Sequence, residues 1–239
     1  MSRTDDLVRF YELLDILEMR LGQKRLLADC NGRLEWPTRG VYFFFEPGEV
    51  RSDAGKGFRV TRVGTHALTA KSRTTLWNRL SQHRGVASTG GGNHRGSIFR
   101  LLVGAALKQR DAQEEPESWG IGSDPGAAAR KLGIDRSTVK NSERGLEQMV
   151  SRYIGAMPFL FLSIDDAPGG DSLRGLIEQN SIALLSNIER DSLDPPSSSW
   201  LGQFSDRPRV RESGLWNNNH VDEAHDPGFL ADLERLIQA

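Results

Sequence analysis

Cysteine is almost missing from this chain: Cys30 is the only one among 239 residues. A lone thiol makes neither an internal disulfide nor a zinc cluster, which points to a reducing, cytoplasmic setting. No run of ~18 apolar residues occurs, so no membrane-spanning helix is expected. The opening residues Met1-Ser2-Arg3-Thr4-Asp5-Asp6 are acidic and lead into amphipathic sequence, so no secretory signal is expected either. Net charge is scarce as well. The 31 Lys and Arg against 32 Asp and Glu leave −1, a total that by itself speaks against a nucleic-acid partner.

The distribution of charge says otherwise. Residues 51–110 contain twelve Lys and Arg against the single acid Asp53, together with His66, His83 and His94. That block carries +11 and the remainder −12. Such asymmetry points to a polyanion, the bland alternative being a face whose acids arrive from elsewhere in the fold.

Hydrophobic spacing places a helix over residues 5–28, capped by Asp5 or Asp6, with Leu7, Phe10, Leu14, Leu17 and Leu21 on one face. Residues 40–46 (GVYFFFE) form a strand ended by Pro47-Gly48, and 58–64 (FRVTRVG) a second, joined as a long-looped hairpin. Helices are expected at 74–83 and 97–108, and a pair broken near Gly133 over 127–154. A buried strand follows at 159–164, then helices at 171–188 and 229–237. The order β-β-α, helical insertion, β-α predicts an α+β domain.

Four polar groups stand out on that outline. Tyr42 is in the first strand, Arg79 and His83 share one face of the next helix at spacing i, i+4, and Glu178 borders an apolar helical stripe. A phenol, a guanidinium, an imidazole and a carboxylate suit phosphodiester hydrolysis. One handles the proton of water, one cation stabilises charge on phosphorus, and one hard oxygen holds a divalent metal.

These residues resemble the GIY-YIG endonucleases. Gly40-Val41-Tyr42 matches the first signature element and Arg62-Val63-Gly64 the second; Arg79 matches the helix arginine, and His83 resembles the restriction-enzyme branch. Glu178 matches the metal-binding glutamate and Asn187 the asparagine that follows it. The resemblance implies a small three-stranded antiparallel sheet flanked by helices. It divides the chain into an N-terminal helical arm (1–37), a catalytic core (38–84 and 157–190), a helical insertion (85–156) and a C-terminal loop and helix (191–239). It also implies an endonuclease that hydrolyses DNA with Mg²⁺ or Mn²⁺ on Glu178, in restriction, defence or mobile-element handling. RNA stays open as a substrate, and so does a catalytically silent nucleic-acid-binding module. In the implied roles Tyr42 is the base or positions water, Arg79 contacts the scissile phosphate, and His83 moves a proton or holds Tyr42. Gly40, Gly64 and Asn187 give support.

Three departures accompany the match. Arg62 stands where the family has its second tyrosine, leaving it to bind phosphate while His66 or Lys56 substitutes. The loops at 47–57 and 65–73 are long, and 99 residues separate Arg79 from Glu178. Lys56, Lys71, Arg73 and Arg95 complete the expected nucleic-acid contacts, Arg95 through the glycine-rich loop 90–97. Residues 127–139 resemble a helix-turn-helix that would expose Arg136, Ser137, Thr138 and Lys140, or else an ordinary helix pair with a Gly corner. The run 214–226, with His220 and His225, reads as a loop packing Trp216 on the core, its His220 and asparagines bordering a cleft, rather than as a metal site. Trp119 and the 197–200 segment read as surface packing.

Overall fold

Residues 40–46 send alternate side chains to opposite sides, and both sides are apolar. Val41, Phe43 and Phe45 enter one core, Tyr42 and Phe44 the other. A strand of that kind must be covered on both faces, and the rest of the chain supplies the two covers. The structure, a computed structural model, describes residues 2–239. In chain order its elements are α1 (Arg3–Leu21), β1 (Arg25–Leu26), β2 (Gly40–Val50), β3 (Phe58–Gly64), α2 (Leu76–Arg84), α3 (Ile98–Arg110), α4 (Pro125–Leu132) and α5 (Arg136–Gly155). After these come β4 (Pro158–Ser163), α6 (Leu173–Leu185), α7 (Pro208–Ser213) and α8 (Phe229–Gln238).

The sheet is antiparallel throughout, in the order β1-β4-β2-β3. It has four strands where three were expected. The extra strand is two residues, too short for its alternation to register in sequence, and pairs Arg25 with Phe159. The strand β2 also outruns its expected end. It continues past Pro47-Gly48 to Val50, with register shifts after Phe44 and Phe45 absorbing the residue that lacks an N–H.

One face of the sheet is covered by α1, α6 and α8, with Phe10 edge-on to Phe43 at 5.9 Å between ring centroids. The other is covered by α2, α3 and α5, through Leu80, Phe99, Leu102, Val103, Leu146, Val150 and Ile154. Helices α1, α3 and α5, from the stretches read as an N-terminal arm and a helical insertion, thus pack directly on the sheet. Trp200, read as surface packing, is buried at 1% exposure beside Trp216. Both indole N–H groups donate to Glu46 Oε2 at 3.0 Å. Residues 214–217 close the free edge of β3. The Trp216 N–H donates to the Thr61 carbonyl at 2.7 Å, and the Asn217 amide pairs with both backbone groups of Val63.

Helix ends follow local chemistry. The α1 cap is Ser2, not Asp5 or Asp6; Asp5 completes the reciprocal capping box. The helix ends at Leu21, capped by Gly22 at φ +84°, seven residues short of the expected end at Ala28.

Gly40 is dictated by the β2–β4 pairing. A Cβ there would sit 2.2 Å from the Leu162 carbonyl oxygen. Gly40→Ala is expected to lose about 1–3 kcal/mol by forcing the strands apart. Thermal melting measures this, and an unchanged midpoint contradicts the close approach.

Candidate active site

Strand register brings Tyr42 directly opposite Gly64. The phenol lies across the glycine so closely that a Cβ on residue 64 would fall 2.3 Å from the hydroxyl oxygen. The two signature glycines thus have separate steric causes, a neighbouring strand at Gly40 and the Tyr42 ring at Gly64. The ring's position is fixed from the other side by α2. Its Thr75 cap sets the helix so that Leu76, Leu80 and His83 face inward, and His83 Nε2 lies 2.8 Å from the Tyr42 hydroxyl. The opposite imidazole nitrogen, Nδ1, is 2.7 Å from Ser97 Oγ, which also accepts the Arg100 N–H as the cap of α3.

Tyr42 and His83 are both fully buried. Burial, then the positive charges of Arg79, Arg62 and Arg100, hold the His83 pKa well below the usual imidazole value. The imidazole is therefore neutral at physiological pH.

Arg79, one turn before His83, points out of the core. It donates to Gln82 Oε1 at 3.0 Å and to the Gly96 carbonyl at 3.3 Å. Glu178, half-buried on α6, reaches the same region from the other side of the sheet's end. Its Oε1 accepts the Thr65 N–H at 3.0 Å, while the Thr65 hydroxyl donates to the Gly40 carbonyl at 2.8 Å. Thr65 thereby ties the start of β2, the end of β3 and α6 together. Burial pushes the Glu178 carboxyl above its ordinary pKa, against the pull of Arg62, the Thr65 N–H, His220 and Arg79. The positive charge of Arg79 acts on His83, His66 and Glu178 alike.

A family model described as a GIY-YIG domain matches residues 1–239. The chain belongs to the GIY-YIG family. GIY-YIG domains are nuclease domains, and the match runs through the helices between Arg79 and Glu178 as well as the signature strands. No curated protein and no solved structure matches the chain with significance.

Arg62, in the place of the second GIY-YIG tyrosine, is buried on the Tyr42 side of the sheet. Its guanidinium sits 4.7 Å from the centroid of the Phe99 ring, donates to the Trp216 carbonyl and lies beside the Tyr42 hydroxyl. With 5% of its surface exposed it is a wall of the site, not an outward phosphate contact. Lys71 and Arg73 are exposed on the loop between β3 and α2, next to the site.

Three expected residues lie elsewhere. Lys56 is at the tip of the β2–β3 hairpin, eight residues from Gly64 and so roughly 25 Å away at ~3.3 Å per strand residue. Arg95 is consumed internally, paired with both Glu143 oxygens and donating to the carbonyls of Ser118 and Ile121. Asn187 bonds Arg3 and Leu193 and belongs to the packing of α1. The glycine-rich loop does not cradle a phosphate either: a Cβ at Gly92 would fall 2.2 Å from the Arg100 guanidinium carbon. Its glycines admit that side chain.

His66 gains weight from the structure. It is 6% exposed, and among the described residues neither ring nitrogen has a hydrogen-bond partner. Burial, then Arg174, Arg79 and Arg39, pull its pKa down to about 4. Its signal in sequence was position alone, two residues beyond the glycine of the second signature element. Below pH about 6.5 the unfolded chain takes up a proton that the native imidazole resists until about pH 4, so this residue removes stability as pH falls through that window. His66→Gln is therefore expected to gain melting temperature relative to wild type between pH 7 and pH 5. A difference that stays constant with pH contradicts the buried neutral imidazole.

Proposed function

We propose that this chain is a Mg²⁺-dependent endonuclease that hydrolyses DNA phosphodiester bonds. The observation that carries the reading is the Tyr42–His83 pair at one end of the sheet, with Glu178 tied to the same end through Thr65 and the Gly40 carbonyl, and Arg79 one turn before His83. Arg79 binds the scissile phosphate and stabilises the charge that builds on its oxygens. Neutral His83, 2.8 Å from the Tyr42 hydroxyl, accepts its hydrogen bond and fixes the direction of the phenol. Held there by His83, Tyr42 positions the attacking water. His66, with both nitrogens unpartnered, has the free hydrogen-bonding capacity to hold the water or a phosphate oxygen.

The donor set fits a divalent cation of one kind only. Among the described residues no three His, Cys, Asp or Glu side chains gather as a metal cage. Glu178 has one oxygen on Thr65 and no hydrogen bond on the other. A single carboxylate suits Mg²⁺ or Mn²⁺ that keeps most of its waters and leans on substrate phosphate. Bound there, the cation would supply charge neutralisation at the leaving oxygen.

The substrate reading rests on the cations that remain free. Within the basic segment, Arg51, Arg59, Arg95, Arg100 and Arg110 pair with acids, most of them from other parts of the fold. Lys71, Arg73, Arg79 and Arg84 have no carboxylate within 4.0 Å among the described residues; Lys71 and Arg73 lie on the loop that leads into α2, and Arg79 and Arg84 on α2 itself. This supports a polyanionic strand at the site itself. The lone buried Cys30 supports a reducing cytoplasmic setting, and the helix histidine supports a role in restriction, defence or mobile-element handling.

A silent DNA-binding module is the second reading. It is favoured by the complete burial of Tyr42 and by Arg62 in the place of the second tyrosine. Incubation of the purified chain with supercoiled plasmid and Mg²⁺ separates the two. Cleavage is expected, lost on chelation and reduced about 10²–10³-fold by Arg79→Ala, as for loss of one charge-stabilising donor. Glu178→Gln and Tyr42→Phe are expected to impair it as well. Tight binding without cleavage by the wild type supports the silent module.

A further inference from the structure

A second basic surface lies outside the candidate active site, on the exposed N-terminal half of α5. The helix pair α4–α5 turns at Gly133, at φ +67°, and packs through the small cluster of Ala128, Ala129 and Val139. So little apolar contact leaves the first turns of α5 bare. Arg136, Lys140 and Arg144 recur every four residues along one stripe, all exposed. Among the described residues none of the three has a carboxylate within 4.0 Å, and the only partner of the set is Asn141, bonded to Arg144. The stripe forms one wall of a groove of about 510 Å³, whose other wall is the loop of Gly91, Gly92 and Asn93. The two acids in that groove are already neutralised from behind, Glu143 by Arg95 and Glu147 by Arg100. The groove therefore keeps its positive charge.

Its position relative to the candidate site is fixed by bonds. Glu147, on the same helix, holds Arg100, and Arg100 donates to the His83 carbonyl at 2.8 Å. Asn93 lines the groove, and three residues later the Gly96 carbonyl accepts from Arg79. Three residues span at most about 11 Å. The stripe from Arg136 to Arg144 is about 12 Å long at ~1.5 Å per residue, the axial rise of three to four nucleotides in one strand of a duplex.

We propose that this groove binds the phosphate backbone of duplex DNA flanking the bond held at Arg79, with Arg136, Lys140 and Arg144 each neutralising a phosphate. The inference rests on the nuclease reading above and adds to it the path of the substrate beyond the cleaved bond. It assigns the exposed face of α5 to substrate tracking, with the glycine-rich loop only as the opposite wall of the groove. These contacts are to phosphates, so they add affinity at every sequence alike.

Binding of the full-length chain to a labelled 30-base-pair duplex, followed by fluorescence anisotropy in EDTA from 50 to 300 mM salt, tests this without any cleavage. The variant is R136Q/K140Q/R144Q, and the control R20Q/R33Q/R235Q removes the same charge from exposed positions elsewhere. The expected result is a slope of log K against log salt shallower by about 2–3, at ~0.9 per phosphate contact. Affinity at 100 mM salt should fall about 10–100-fold, with the control near wild type and cleavage at saturating DNA in Mg²⁺ retained. A folded variant that binds like wild type overturns the proposal and leaves the nuclease reading standing. An equal loss in the control also overturns it, because net charge then explains the effect. No duplex binding by the wild type overturns it together with the substrate reading.

Discussion

The contact on which the site depends is the Tyr42 hydroxyl lying across Gly64 and meeting His83 at 2.8 Å. Three independent choices must agree for it to form. The β2–β3 register must set Tyr42 against Gly64, residue 64 must lack a side chain, and α2 must start at the Thr75 cap so that His83 faces inward. Helices α3 and α5 are then indexed to that imidazole. Ser97 takes its second nitrogen and caps α3, and Arg100 takes its carbonyl and reaches Glu147 on α5. A slip of one residue in the hairpin would turn the phenol to the opposite face and leave His83 and Ser97 without the partner that orders them.

Charge is managed differently in the core and at the site. Away from the site, buried guanidiniums come with carboxylates: Arg59 with Glu49, Arg95 with Glu143, Arg100 with Glu147. Around Arg79 the pattern changes. Arg62 and His66 are buried without acidic partners, and Glu178 is desolvated with an oxygen left open. Leaving such groups uncompensated costs stability, and on the proposed reading a phosphate with a divalent cation would relieve His66 and Glu178 together. The same contrast explains why the net charge was uninformative and the basic segment only partly informative. Much of its excess is cancelled by acids that folding brings from elsewhere.

Much of this was legible in the order of residues. The double-faced apolar run of β2, the i, i+4 pairing of Arg79 and His83, the break at Gly133 and the late strand before Glu178 all follow from periodicity and local chemistry. What stayed hidden depends on separation in space. Lys56 looked close to Arg62 along the chain, yet a β-hairpin carries its tip away from its base. Arg95 looked like a phosphate contact because Glu143, 48 positions later, cannot be foreseen as its partner. Asn187 followed Glu178 in family order, but the end of α6 delivers it to Arg3. His66 was visible only as a candidate, since the absence of partners on both nitrogens is a fact of packing.

The central claim is that Arg79 and Glu178 face one phosphate. The most direct measurement is a crystal structure of the Tyr42→Phe variant with duplex DNA and Mn²⁺, with the metal located by anomalous scattering. One Mn²⁺ is expected on the free Glu178 oxygen, with the scissile phosphate between it and the Arg79 guanidinium. Mn²⁺ bound away from Glu178, or a DNA backbone that passes Arg79 without a phosphate contact, would contradict it.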